Sequence, residues 1–213
     1  DATELNLLDG KAATNLALLG KTEGTNFTDS LLVGHATTGT LSTAIQNTGI
    51  GIDALDAIAT GDRNTAVGFS TLTASTNGSY NTAIGNQAMT AQGSGGANTA
   101  IGSNSLQSNS TGSDNTAVGY LALGNATTEK NTALGGNAGR LISTGLSNIA
   151  IGYNSGDNIT SGDGNIIIGS IDADSATGDK QLIIADGVDG SVAWLKGDSS
   201  GNLTFKRVDT GDD

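Results

Sequence analysis

The sequence predicts an all-β chain wound as a parallel β-solenoid, and three observations carry that reading. The string Asn-Thr-Ala-Ile-Gly recurs with small changes at a spacing of 17 residues, and strict internal periodicity is the signature of a stacked repeat. The recurring segments are five-residue runs with two-residue alternation, set between Gly-Ser-Asn-Thr turns, which favours short strands over helices. The 213 residues include 33 glycines and no proline, with 3% aromatic and 14% charged residues, against about 25% charged in ordinary domains. Three Phe, three Tyr and one Trp are too few to fill the core of a conventional globular enzyme. The regular spacing of Ile, Val and Leu argues against a disordered chain.

The units start at Asn47, Asn64, Asn81, Asn98, Asn115, Asn131, Asn148 and Asn165, with one 16-residue step after Asn115. Ser30 opens a degenerate first copy and Gln181 a degenerate last one, so about nine rungs run from residue 30 to residue 180. Position 4 is always aliphatic, from Val33 to Ile168, and position 5 is always glycine, from Gly34 to Gly169. Position 2 is Thr in Thr48, Thr65, Thr82, Thr99, Thr116 and Thr132, then Ile149 and Ile166. Alternation places positions 2 and 4 on one face of a strand. Because position 4 is apolar throughout, that face is expected inside, and the Ala column at position 3 (Ala66, Ala83, Ala100, Ala117) is expected outside. The Asn column at position 1 is expected to form an amide ladder that also satisfies turn backbone. Each unit is expected to hold two short strands and two turns, with the second glycine (Gly61, Gly78, Gly95) in a variable turn.

Two or three modest apolar side chains per rung make a thin core against the entropy of ordering about 17 residues. Small residues at position 3 and position 8 then suggest a face where other copies of the chain approach closely. The ends differ from the repeat. Residues 1–29 carry short Leu-rich pieces between glycines and are expected to form an N-terminal connector. Residues 181–213 read as three strands joined by Gly turns, a small antiparallel β cap, with Trp194 and Phe205 expected to plug the open end of the solenoid. The chain opens at Asp1 rather than Met, which suggests a processed product or a fragment.

Charge and composition exclude several functions. Nine basic and 21 acidic residues give a net charge of −12, which repels nucleic-acid backbones and anionic membranes. No cysteine is present and His35 is the single histidine, so a multi-histidine metal site is excluded and a Ser-His-Asp triad is possible only there. His35 sits at a freely varying position and reads as a surface residue. Asp62, Asp114, Asp157 and Asp163 fall in turns, and Asp172, Asp174, Asp179, Asp186 and Asp189 in the C-terminal region. They read as solvated turn residues rather than as paired glycosidase carboxylates. Asp157-Asn158 and Asp163-Gly164-Asn165 could supply calcium oxygens, but no EF-hand or Gly-Gly-x-Gly-x-Asp series frames them. No phosphate-binding Gly loop precedes a helix. Stacked threonines are also what ice-binding solenoids display. Here the Thr column is expected buried beside the aliphatic column, which disfavours that function. No catalytic, cofactor-binding or metal-binding residue is therefore assigned, and no enzyme activity or cofactor is expected.

The unit Asn-Thr-Ala-Ile-Gly-x-x-Ala with its Gly turn resembles the head repeats of trimeric autotransporter adhesins, over about 70% of the chain. Similar runs occur in tail-fibre and appendage proteins of bacteriophages. Ala2-Thr3-Glu4-Leu5-Asn6-Leu7-Leu8-Asp9-Gly10 and Asp198-Ser199-Ser200-Gly201-Asn202-Leu203-Thr204 resemble phage-fibre segments. The resemblance implies a left-handed parallel β-roll with three chains side by side. It further implies a structural subunit of a phage fibre or virion appendage, a rigid trimeric spacer supporting host attachment. Its partners would be its own copies, other virion proteins and a host-surface polysaccharide or protein, with no membrane insertion. The alternative is a bacterial surface adhesin head holding matrix or cell-surface ligands. The units are longer than the usual adhesin unit, and no coiled-coil stalk or membrane-anchor barrel follows in this chain, which favours the phage reading.

Overall fold

The structure, a computed structural model, describes residues 31–33 and 43–206. The expected connector at 1–29 and His35 lie outside these residues. Among the described residues twelve strands form one sheet in chain order. They are β1 (Leu31–Val33), β2 (Thr48–Ile50), β3 (Thr65–Val67), β4 (Thr82–Ile84), β5 (Thr99–Ile101), β6 (Thr116–Val118), β7 (Thr132–Leu134), β8 (Ile149–Ile151), β9 (Ile166–Ile168), β10 (Leu182–Ala185), β11 (Ala193–Gly197) and β12 (Leu203–Phe205). From β1 to β10 every neighbouring pair is parallel, and like positions face like, as in Thr65↔Thr82, Ala66↔Ala83 and Val67↔Ile84. The chain is an all-β parallel solenoid of about eight turns, closed by an antiparallel strand pair.

Each coil holds one three-residue strand, not the two expected. The return half is a ladder of turns. The Leu55 amide donates to the Thr71 carbonyl at 3.0 Å, Leu72 to Ala88 at 3.1 Å and Leu106 to Ala122 at 3.0 Å. These leucines sit at φ of 61°, 52° and 48°, a left-handed conformation that bends the chain too sharply to continue as a strand.

The expected facing of the strand is reversed. Ala66, Ala83, Ala100, Ala117, Ala133 and Ala150 are fully buried, whereas Ile84 and Ile101 are each 39% exposed and Leu134 is 49% exposed. The Thr column lies outward beside them, half-buried at most rungs and exposed at Thr116. The reason is width. The strand is backed closely by the return turns, and in most rungs the gap holds the buried side chains of positions 9 and 12 against a small residue at position 3.

Position 9 normally supplies a large side chain (Leu55, Leu72, Met89, Leu106, Leu123), and these are buried together with position 12. The two positions are filled jointly, by Met89 with Gln92 and Leu106 with Asn109 as well as by Leu72 with Ser75. Where position 9 becomes Gly139 or Gly156, position 12 becomes Ile142 or Ile159, both buried. A Cβ on Gly139 would come within 2.8 Å of Ile142 Cδ1 and 3.1 Å of Leu123 Cδ2. Leu55 and Ile58 are both buried in one rung, where Gly49 stands at position 3 in place of the alanine. Such compensation is what a densely packed interior requires.

The Asn ladder forms as expected. Asn98 Nδ2 donates to Asn81 Oδ1 at 3.0 Å and to the Gly112 carbonyl at 2.9 Å, and its Oδ1 accepts from the backbone and side-chain N–H of Asn115 at 3.0 and 3.1 Å. Gln181 continues the column, its backbone and side-chain N–H donating to Asn165 Oδ1. Gly85 represents the position-5 column: φ is +141°, and a Cβ would stand 2.5 Å from the Gly102 carbonyl oxygen in the next coil. The second glycine does not sit in a permissive turn. Gly61, Gly78, Gly95 and Gly112 are buried, and a Cβ on Gly78 would lie 2.6 Å from the Gly95 oxygen. In the short unit Thr128 stands in this column, donating from Oγ1 to the Gly145 carbonyl at 2.6 Å.

At the C-terminal end, β10 pairs parallel with β9 and antiparallel with β11, and β11 pairs antiparallel with β12. Trp194 and Phe205 do not plug the solenoid, being 55% and 69% exposed. The last rung is closed instead by Ala173, Ile183 and Ala185, with Ile171 and Ala193 packed on them. Lys196 Nζ crosses to Asp174 Oδ1 at 2.5 Å.

Candidate association surface

The most distinctive surface is the outward face of the sheet. Position 4 places Ile50, Val67, Ile84, Ile101, Val118, Leu134, Ile151 and Ile168 in one column, with the position-2 residues in a second column alongside. Neither column contains a charged residue in a chain of net charge −12. The backbone beneath is held rigidly. The Thr99 amide donates to Asn115 O at 2.8 Å and the Gly102 amide to Ile84 O at 2.8 Å. Rungs therefore repeat at about 4.8 Å. The position-5 glycine turns the chain away at the edge, where Ile52, Phe69, Tyr120 and Tyr153 stand exposed at position 6.

About 40% of an isoleucine surface per rung, with part of a threonine beside it, amounts to roughly 100 Å² per rung. Over the nine strands β2 to β10 the face offers on the order of 900 Å², against the roughly 800 Å² per partner of a standard specific interface. Its apolar column alone, roughly 60 Å² per rung, comes to about 500 Å², the size of the largest apolar patch on a typical monomer, which is often a functional surface.

The acidic residues singled out from the sequence are used locally. Asp62 Oδ1 accepts from the Ile45 amide at 2.9 Å, Asp163 Oδ1 from Leu146 at 2.7 Å and Asp179 Oδ1 from Asp163 at 2.8 Å. They form a second ladder that joins successive coils. Asp157 takes a bidentate ion pair from Arg140, at 3.1 and 3.2 Å. Asp172 Oδ1 accepts from the Asn158 amide at 3.1 Å, and Asp189 Oδ1 from Ser191 at 3.0 Å. Asn158 is engaged with the backbone of Ala173 and Asn165 lies in the amide ladder. Asp114 is exposed.

Asp186 organises the loop between β10 and β11. Its Oδ1 accepts from the amides of Val188, Asp189 and Gly190, and its Oδ2 from Val192 at 2.7 Å. The Val192 and Asp189 hydrogen bonds hold its carboxyl down at about 2. Asp198 does the same for the β11–β12 turn, accepting from Ser200 and from Asn202, whose hydrogen bonds lower its pKa.

Among the described residues no group of three His, Cys, Asp or Glu could hold a metal ion, and no helix is long and apolar enough to cross a membrane. The face was missed in the sequence because its apolar column was assigned to the interior. The signal that could have found it was the volume exchange between positions 9 and 12, which only an interior pair would show. No protein-family model, no curated protein and no solved structure matches the chain.

Proposed function

We propose that the chain is the structural subunit of a bacteriophage fibre or virion appendage, a left-handed homotrimeric roll that acts as a rigid spacer supporting attachment to the host surface. The phage assignment comes from the repeat and end-segment resemblance. The observation that supports a trimeric spacer is the charge-free apolar face on the outside of every rung, which a lone acidic chain would leave in water. Copies meeting through that face would bury it and leave the acidic turns outside, where they keep the fibre soluble.

Stiffness follows from repetition. Each coil is tied to the next by strand, Asn-ladder and turn hydrogen bonds, so bending requires many to yield together. The parallel stack from β1 to β10 has nine intervals, a length of about 43 Å at 4.8 Å each. Sedimentation equilibrium and small-angle scattering of the purified chain test the spacer. A trimer with a rod-like profile is expected, and a monomer at tens of micromolar refutes it. Labelling of intact phage particles with antibody to the chain tests the location, and particles without the antigen refute that assignment.

The outward Thr column favours one second reading, in which the chain stays unassociated and the flat face binds ice. The two readings need the same surface and exclude each other. The Thr column spans six rungs and gives way to Ile149, Ile166 and Leu182, so the hydroxyl array stops short while the apolar column does not. Thermal hysteresis by a monomeric chain would select ice binding.

A further inference from the structure

We infer that the C-terminal hairpin, β11 with β12, belongs to the surface through which copies of the chain associate, and that the same hairpin of each other copy covers it. The inference rests on the trimeric reading above and extends it to a region outside the repeat. Strand direction reverses between β10 and β11, and the 17-residue pattern ends there, yet the outward columns continue. The register aligns Ile168 with Ile184, Ile184 with Leu195 and Leu195 with Phe205, and in the second column Ile166 with Leu182, Leu182 with Gly197 and Gly197 with Leu203. The position-4 column thus remains apolar through the change of topology. A repeat inherited by duplication does not explain that; a shared contact surface does.

The other face of the hairpin is already committed. Lys196 lies there and pairs with Asp174 at the closed end of the solenoid, with Thr204 beside it in register. The outward side has no such anchor: Leu203 and Phe205 are 56% and 69% exposed there, and Thr204 on the opposite side is exposed too, so it is the Lys196 ion pair alone that ties down that face. A two-stranded edge with bare Leu and Phe side chains is marginal on its own and an aggregation risk unless something covers it. Cyclic symmetry about an axis parallel to the solenoid brings like residues together at one height. With the outward face turned toward that axis, the Phe205 rings of the copies meet one another there. A charge-free contact is also the one that chains of net charge −12 can close without like-charge repulsion.

The test uses the full chain, which contains no cysteine. Sedimentation equilibrium compares wild type with Phe205→Asp on the proposed surface and Thr204→Asp on the opposite face, with far-UV circular dichroism confirming that the solenoid stays folded. Phe205→Asp is expected to raise the concentration at half-dissociation at least tenfold, and Thr204→Asp to change it less than twofold. In parallel, Phe205→Cys is expected to give a covalent dimer on mild oxidation, whereas Thr204→Cys is not. A trimeric wild type whose Phe205→Asp variant associates equally well and whose Phe205→Cys variant does not cross-link overturns this inference and leaves the trimer standing. A monomeric wild type overturns both.

Discussion

Removing one amide from the Asn ladder should disrupt the stack more than removing a larger apolar group from its outer face. Asn98→Ala is the sharpest case, because all four hydrogen bonds of its side chain are accounted for. The Asn115 backbone N–H, buried, loses the acceptor it reaches at 3.0 Å and has no other place to go. Leaving a buried donor unpaired costs about 1–3 kcal/mol. The other three losses are partly covered. Asn81 Oδ1 keeps the Asn98 backbone N–H at 3.0 Å, Gly112 O keeps Asn109 Nδ2 at 3.1 Å, and Asn115 Nδ2 keeps Thr128 O at 2.6 Å. Each then costs about the net value of an ordinary hydrogen bond or less, near 0.5–1 kcal/mol. The expected total is about 2.5–6 kcal/mol.

Asn98→Asp carries a second signature. Its carboxylate can still accept from Asn115 but would face Asn81 Oδ1 and Gly112 O with no proton to offer. Burial among acceptors raises a carboxyl pKa, so the folded state favours the protonated acid. This variant should regain stability as pH falls from about 7 to about 5, a range over which the wild type should not gain in the same way. Denaturant unfolding at fixed chain concentration, which holds any association constant, measures both effects. A loss below about 0.5 kcal/mol for Asn98→Ala, or no pH rescue of Asn98→Asp, would refute the idea that the ladder holds the coils together.

The remaining predictions concern glycines, volume and the terminal loop. Gly102→Val should cost about 3 kcal/mol or more from a disallowed φ and backbone overlap, Gly95→Ser should cost at least 1 kcal/mol by overlap alone, and Gln107→Lys should be nearly silent. Equal melting temperatures for Gly95→Ser and Gln107→Lys would contradict the buried placement of that column. Gly139→Leu should destabilise by roughly 2 kcal/mol or more, and the added change Ile142→Ala should recover most of it by recreating the Leu123–Ala126 rung. A double-mutant cycle with no coupling would mean the two positions do not share one volume. Asp186 has a folded pKa of about 2 against an ordinary 3.8. Its contribution to loop order is complete above pH 3.8 and is lost as pH falls through about 2. Trp194 fluorescence should report that acid transition in the wild type, and Asp186→Asn should remove it.

The repeat, its register, the Asn ladder and the position-5 glycine were legible because each depends on one residue type recurring at one spacing. The three C-terminal strands were legible from alternation and turn residues. The facing of the strand was not. The rule that apolar residues point inward assumes that a chain's outer surface is polar, and Ile101 breaks that assumption while the small Ala100 takes the interior place that Ile167 and Ile183 fill only in the last rungs. The return half was missed for a different reason: Leu72 and Leu106 adopt a left-handed backbone usually left to glycine or asparagine, so their residue type carries no turn signal. Gly95 looked dispensable because its neighbours vary. Its constraint comes instead from the coil stacked against it, 17 residues away in sequence.

The sameness of the rungs raises a question of alignment between chains. Two faces that repeat every 4.8 Å or so can slide by one tooth and meet almost the same partner residues, as a zip can be started a notch too low. Three marks along the chain break that degeneracy: the 16-residue unit after Asn115, the change from Thr132 to Ile149 in the outer column, and the reversal of direction at β11. The last is the strongest, since a chain shifted by one tooth would set an antiparallel strand against a parallel one. An origin fixed at one end is enough to phase every rung before it, which gives the least repetitive part of the chain control over the alignment of the most repetitive part.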